Sequence, residues 1–356
     1  MKKAKIGIVG CGDISGIYLT NLTKNFANTE VVGVCDLIDA KAENAVKKYG
    51  IPKKYKDMHE LFADPDVDIV LNITRPYQHH EVSMAAIAAG KHVYSEKPLG
   101  ATLEEAIEIR DAAAKKGVYV GGAPDTFLGG GIQTCRKLID DGYIGKPVAA
   151  TAFFGCAGHE RWHPDPDFYY HFGGGPILDM IPYYATALVN LLGPVTAVNG
   201  MTSRVFPTRM ITAEKKFGEI INVEVDTHAA GTLAFECGAI GTMFSSFDIQ
   251  AHNLPIIEIY GTEGTLSVPD PNHFAGPVKL FRREQQEFMK VPLTFGYNDA
   301  DYRGLGLSDM VSAIAKGRKA RAGIDLYFHV LEVMAGIAQS AIDKKEVKIN
   351  SRTDKP

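Results

Sequence analysis

At 356 residues the chain is long enough for two domains, each with its own core. Apolar residues make up 46% and charged ones 22%; the net charge of −4, with no basic run, leaves no electrostatic footprint for nucleic acid. Five cysteines without a C-x-x-C pair argue against a disulfide framework and fit a reducing, cytoplasmic setting, and no run of about 18 apolar residues is present to span a membrane.

Taken from the start, Met1-Lys2-Lys3 and the apolar residues after it imitate a signal peptide. The apolar run breaks at Gly10-Cys11-Gly12-Asp13, too soon for an h-region. Short apolar runs then alternate with helical patterns through residue 122. The runs are Lys5 to Val9, Val31 to Cys35, Asp68 to Asn72, His92 to Tyr94 and Val118 to Val120, with helical patterns over Gln78 to Ala89 and Leu103 to Lys116. This rhythm predicts βαβ units and a doubly wound parallel sheet buried on both faces, a Rossmann domain over 1–123.

The loop after the first strand reads Gly10-Cys11-Gly12-Asp13-Ile14-Ser15-Gly16, a G-x-G-x-x-S variant of the dinucleotide fingerprint. The first glycine makes the tight turn. The second lets backbone approach a pyrophosphate, which rests on the helix N-terminus with Asp13 and Ile14 beside it. The second strand ends at Cys35-Asp36, 20 residues past Gly16, where a carboxylate meets the ribose hydroxyls. Leu37 follows beside the adenosine. A 2′-phosphate about 4 Å from Asp36 would cost on the order of 4 kcal/mol per unit charge at an effective dielectric near 20. No arginine follows within Leu37-Ile38-Asp39-Ala40, so NAD is expected over NADP.

The fourth strand runs into Tyr94-Ser95-Glu96-Lys97-Pro98. A lysine there can donate to a substrate oxygen, and the proline behind it restricts its backbone. Thr74, Pro76 and His79 fall on the loop after the third strand.

From 124 to 356 the pattern changes. One helical piece, Ile132 to Asp141, precedes strand-like runs at Val148 to Phe154, His228 to Phe235, Ile240 to Phe247, Ile256 to Tyr260, Thr265 to Val268 and Val278 to Phe281. Helical patterns at Ile177 to Leu192, Leu305 to Lys316 and Leu326 to Lys344 would cover one face. This predicts an α+β domain with a large, mostly antiparallel open sheet, its bare face a natural subunit interface.

Within that domain, His159-Glu160-Arg161-Trp162-His163 spells H-E-x-x-H, a zinc-hydrolase signature. The motif needs a helix that presents both imidazoles on one face. Glycines precede it and Pro164-Asp165-Pro166 follows directly, so no such helix, and no metal, is expected.

Several motifs together resemble the glucose–fructose oxidoreductase/inositol dehydrogenase/rhizopine catabolism (Gfo/Idh/MocA) family. They are Gly10-Cys-Gly-Asp-Ile-Ser15, Ala89-Gly-Lys-His-Val93, Glu96-Lys97-Pro98, Ile139-Asp-Asp-Gly-Tyr-Ile-Gly-Lys-Pro147 and Gly173-Gly-Gly-Pro-Ile-Leu-Asp179. The resemblance implies reversible hydride transfer between nicotinamide and a secondary alcohol or carbonyl, commonly on a sugar or cyclitol. It also implies a homodimer or homotetramer built through the second sheet. Lys97 matches the family's catalytic lysine, and Glu96 its neighbour on the cofactor side. A cis Lys97-Pro98 bond is expected, and Thr74, Pro76 and His79 line the nicotinamide half of the cofactor.

The family's second catalytic pair is commonly Asp and, four residues on, His. Here Asp179 is followed by Tyr183. A free tyrosine titrates near about 10 and histidine near about 6.5, so the phenol needs help to act as a base. A nearby ammonium would lower its pKa and burial would raise it. Two readings follow: Tyr183 as acid/base beside Lys97 with Asp179 orienting, or Tyr183 shaping the pocket while Lys97 handles the proton. The stretch before Asp179 supplies an aromatic wall. His163, Trp162 and Tyr169 are the expected substrate contacts, while His159 and Arg161 suit a carboxylate. The alternatives are a dihydrodiol-type dehydrogenase and a non-catalytic NAD-binding co-regulator of the same fold.

Overall fold

The computed structural model describes residues 3–356, which form two compact units. The first takes in the chain through Thr126 together with Asp301–Phe328; the second takes in Phe127–Ala300 and His329–Pro356.

In the first unit the chain runs β1 (Ala4–Val9), α1 (Ser15–Lys24), β2 (Thr29–Cys35), α2 (Asp39–Tyr49), β3 (Lys53–Lys54), α3 (Met58–Ala63), β4 (Ile69–Asn72), α4 (His79–Ala88), β5 (His92–Ser95), α5 (Leu103–Lys116) and β6 (Val120–Gly122). The strands lie in the order β3-β2-β1-β4-β5-β6 and all pair in parallel. Ile6, Ile8, Val34, Val70 and Leu71 are wholly buried, each stabilising by about 1.5–3 kcal/mol. Such unbroken apolar runs are what a sheet covered on both faces requires. The helices stop where the sequence says they should. α2 ends at Gly50 with φ 67°, and α5 starts at Thr102, whose hydroxyl accepts the Glu105 amide, and ends at Gly117. The strand order reverses between β1 and β4, so a crevice opens at the carboxyl ends of the strands.

The second unit holds α6 (Gly130–Asp140), β7 (Pro147–Gly155), α7 (Gly175–Asp179), α8 (Ile181–Leu192), β8 (Val195–Ser203), β9 (Thr208–Met210), β10 (Ile220–Asn222), β11 (His228–Phe235), β12 (Ile240–Ser246), β13 (Ile257–Gly261), β14 (Gly264–Val268), β15 (Val278–Arg282) and β16 (Met289–Val291). The helix expected over Leu305 to Lys316 to cover this sheet, α9 (Leu305–Lys316), instead lies in the first unit against β6; α10 (Ile324–Asp343) follows, and β17 (Val347–Lys348) returns to the second unit. Nine strands form one sheet, β16-β15-β14-β13-β7-β12-β11-β8-β17, antiparallel except for β7 beside β12. Strands β9 and β10 pair apart from it. Alternation along β12 is plain: Gly241, Met243 and Ser245 are buried, while Ile240 and Thr242 stand exposed.

The helix expected over Ile177 to Leu192 is two helices. Pro182 has no amide to continue the first, and it sits in the first turn of α8. Among the described residues no helix is long and apolar enough to cross a membrane.

Candidate active site

The glycine loop is built by steric necessity. Gly10 has φ 100°, and a Cβ there would stand 2.7 Å from the Ile73 carbonyl oxygen at the end of β4. A Cβ on Gly12 would meet nothing within 4 Å, so backbone faces open space just before α1. Ser15 fills the third small position, and its hydroxyl donates to the Gly12 carbonyl at 2.6 Å.

Asp36 closes the end of β2. The amide of Cys11 donates to one carboxylate oxygen at 2.6 Å and the amide of Ile38 to the other at 2.7 Å. The carboxylate is thus aimed by backbone, with lone pairs left for incoming hydroxyls. Asp13 and Ile14 are exposed beside it, and Leu37 is 90% exposed, an uncovered apolar side chain next to a fixed acid. An open amide-lined loop, a helix N-terminus and an oriented carboxylate fit a dinucleotide's pyrophosphate and adenosine.

The Lys97 turn follows β5. The Lys97-Pro98 peptide is cis. Glu96 is buried and held from several sides: Tyr18 of α1 donates to its carboxylate at 2.7 Å, the Lys97 amide donates to it at 3.0 Å, and the Tyr327 phenol donates to its carbonyl. Thr74 is part-buried, its hydroxyl donating to Asn72 at 2.7 Å, and Pro76 opens a short 3-10 turn. His79 is 1% exposed. Its Nδ1 lies 2.7 Å from the Pro98 carbonyl and its Nε2 3.2 Å from the Thr74 carbonyl. Burial lowers its pKa, and a neutral ring has one N–H, so it donates to one of these two carbonyls while the other nitrogen only lies beside its neighbour.

The second unit gathers the other candidate residues. The H-E-x-x-H stretch is a single 3-10 turn, His159–Arg161, and not an α-helix. Among the described residues no group of three or more His, Cys, Asp or Glu is arranged for a metal ion. Trp162 is 61% exposed, Tyr169 part-buried, and His163 buried with its Nδ1 accepting the Asp165 amide at 3.0 Å. The His163 ring centroid lies 5.3 Å from those of both Trp162 and Tyr169, so these aromatics form one wall. Asp179 ends α7, and Tyr183 is buried in the first turn of α8.

The structure adds a residue whose partner the sequence does not announce. His159 Nε2 is 3.0 Å from Asp179 Oδ2, twenty residues further along the chain. Beneath it lies a buried ionic knot. Glu160 accepts from the Tyr170 phenol and, at 2.8 Å, from Arg209, which also pairs with Asp248. On the outer side Lys216 bridges Asp165 at 2.7 Å and Asp167 at 2.8 Å. Burial pushes the Cys156 thiol up to about 11, which leaves it no nucleophile.

Residues 4–122 match the family model described as "Oxidoreductase family, NAD-binding Rossmann fold", and residues 132–267 match the GFO/IDH/MocA C-terminal domain. Inositol 2-dehydrogenase/D-chiro-inositol 3-dehydrogenase of Lactiplantibacillus plantarum is 38% identical over 40% of this chain, and the match spans 42% of that protein's length. A 1,5-anhydro-D-fructose reductase of Ensifer adhaerens is 30% identical over 73% of this chain and 74% of its own. The crystal structure of a NAD binding oxidoreductase from Klebsiella pneumoniae superposes with a TM-score of 0.83, covering 98% of this chain and 100% of that one at 23% identity, which bears on the fold. Both halves of the family's architecture are thus present in sequence and in topology, and the chain belongs to the Gfo/Idh/MocA oxidoreductase family.

Proposed function

We propose that the chain is a NAD-dependent oxidoreductase moving a hydride between nicotinamide and a secondary alcohol or carbonyl of a sugar, cyclitol or related polyol. The observation that carries the reading is the Lys97 turn, fixed at the crevice end of β5 by Tyr18, Tyr327 and His79. A turn held this way fixes the backbone from which the Lys97 side chain leaves, the preorganisation that a group meeting one particular atom requires.

Bound nicotinamide supplies the carbon that takes or gives the hydride. The residues of the chain do the rest. Gly10, Gly12, Asp13 and Ile14 receive the pyrophosphate, while Asp36 holds the ribose hydroxyls beside Leu37. Thr74, Pro76 and Glu96 shape the nicotinamide end. Lys97 donates to the substrate oxygen and stabilises the alkoxide character that develops as the C–H bond breaks. Tyr183 exchanges the hydroxyl proton, and Asp179 orients the substrate. Trp162, His163 and Tyr169 offer ring faces and edges suited to a polyhydroxylated ring.

In the same reading Asp36 makes NAD the preferred dinucleotide. The chain assembles as a homodimer or homotetramer through the exposed side of the nine-stranded sheet, where Ile240 and Met201 stand out.

The test is a screen of NAD reduction with myo-inositol, D-xylose, 1,5-anhydro-sugars and sugar acids. Turnover with one of these, lost in Lys97→Met, supports the proposal. Tight NAD binding with no turnover on any of them favours a binding-only co-regulator.

A further inference from the structure

Four residues after Asp179 this chain has Tyr183 and no imidazole. An imidazole nonetheless reaches Asp179, from the loop before it. We infer that His159 is a positioning residue for Asp179: its ring accepts at Nδ1 and donates through Nε2–H, and that N–H fixes the orientation of the carboxylate. This rests on the reading of Asp179 as a substrate-facing group.

The hydrogen-bond bookkeeping fixes the tautomer. The indole Nε1–H of Trp162 has only a proton to give, and it points at His159 Nδ1 at 3.2 Å. Nδ1 must therefore accept. The one proton of the neutral ring is then on Nε2, directed at Asp179 Oδ2 at 3.0 Å. Both ring nitrogens are engaged, so His159 acts through Asp179 and does not itself exchange a proton with substrate.

The mount is as constrained as the bond. The side chains of His159 and Asp179 are 9% and 12% exposed. The imidazole is packed between Tyr169, with centroids 4.3 Å apart, and Phe247, at 4.5 Å. Its own amide donates to the Tyr170 phenol at 3.1 Å, and that phenol is held by Glu160, which pairs with Arg209. The buried ionic knot thus sets the height and direction of the ring. A residue that merely filled space would need neither the indole donor nor the carboxylate acceptor.

The tautomer is read without any ligand. In uniformly 15N-labelled protein at neutral pH, the His159 ring signals, assigned by their loss in His159→Gln, should show a protonated Nε2 and an unprotonated Nδ1. In Trp162→Phe the ring should lose that fixed preference. A protonated Nδ1, or an imidazolium, at neutral pH overturns the inference.

Kinetics with whichever panel polyol turns over gives the second readout. His159→Phe should lower kcat about 10- to 100-fold. NAD affinity, followed by quenching of protein fluorescence, should stay within about twofold, and His159→Gln, which keeps an N–H, should recover most of the rate. Wild-type kcat in His159→Phe overturns the positioning role. A wild-type protein that shows the Nε2 tautomer but turns over no polyol overturns the proposed function and leaves the pairing standing.

Discussion

The phenol of Tyr18 donates to the carboxylate of Glu96 at 2.7 Å, with both side chains buried. Tyr18 lies in α1, directly behind the glycine loop, and Glu96 precedes Lys97. One hydrogen bond therefore ties the helix behind the glycine loop to the turn that carries Lys97. Tyr18→Phe leaves that carboxylate oxygen buried without its donor. Chemical unfolding should show a loss of about 1.5–3 kcal/mol. kcat should fall as well, because the turn is freed from the loop. An unchanged unfolding midpoint would mean the bond contributes nothing.

The two loop glycines should separate folding from binding. Gly10→Ala forces a side chain into φ 100° and against the Ile73 carbonyl, so it should cost more than about 1 kcal/mol of stability. Gly12→Ala meets no protein atom within 4 Å, so its melting temperature should match wild type. Its NAD affinity should still drop about tenfold or more, since in the proposed binding mode the added methyl meets the incoming pyrophosphate. Calorimetric titration with NAD checks the second effect and a thermal melt the first.

Asp36→Ala should weaken NAD by about 10- to 100-fold through loss of charge-assisted bonds to the ribose. It should weaken NADP far less, because the like-charge repulsion goes with it. The measurement is the ratio of kcat/KM for the two cofactors. An unchanged ratio would remove Asp36 from the ribose site.

Asp125 gives the first unit a pH signature. It is 1% exposed, its carboxylate accepts the amides of Gly304 and Gly306 at 2.9 Å each, and burial pushes its pKa up to about 6 from 3.8. A native pKa above the unfolded one means the folded state holds the proton more tightly. Stability from this group is present in full below about pH 4 and is lost as pH rises toward about 6, by about 3 kcal/mol in total. Asp125→Asn should flatten the stability profile across that window, as read from urea unfolding at stepped pH. A wild-type slope in the variant would place the proton elsewhere.

The first unit was largely legible because its signals are local. Parallel strands buried on both faces read as apolar runs, and the positions of Gly10, Gly12, Asp36 and Lys97 each follow from backbone geometry at a strand end. The two-residue β3, Lys53–Lys54, carries no apolar pattern, since both residues are exposed. Strand β8 escaped for a related reason: Asn199 and Gly200 interrupt its Val-Thr-Ala-Val start, and its cross-strand partners on β11 and β17 hold it in register. The return of Asp301–Phe328 to the first unit has no sequence marker, because Asp125 meets Gly304 only once the fold exists.

Site residues follow the same rule. The resemblance places His79 beside the cofactor, and only the fold shows that both of its ring nitrogens lie beside carbonyls, those of Pro98 and Thr74. His159 stands out in the sequence for its zinc-like spacing, while its partner is Asp179. No periodicity joins those two positions; the loop between them must fold back first.

The most direct measurement of the central claim is a crystal structure with NAD bound. The account predicts phosphates on the amides between Gly10 and Ile14, the adenosine ribose on Asp36, and the nicotinamide ring facing the Lys97 ammonium. A pyrophosphate seated away from that loop, or a ring out of reach of Lys97, would contradict it.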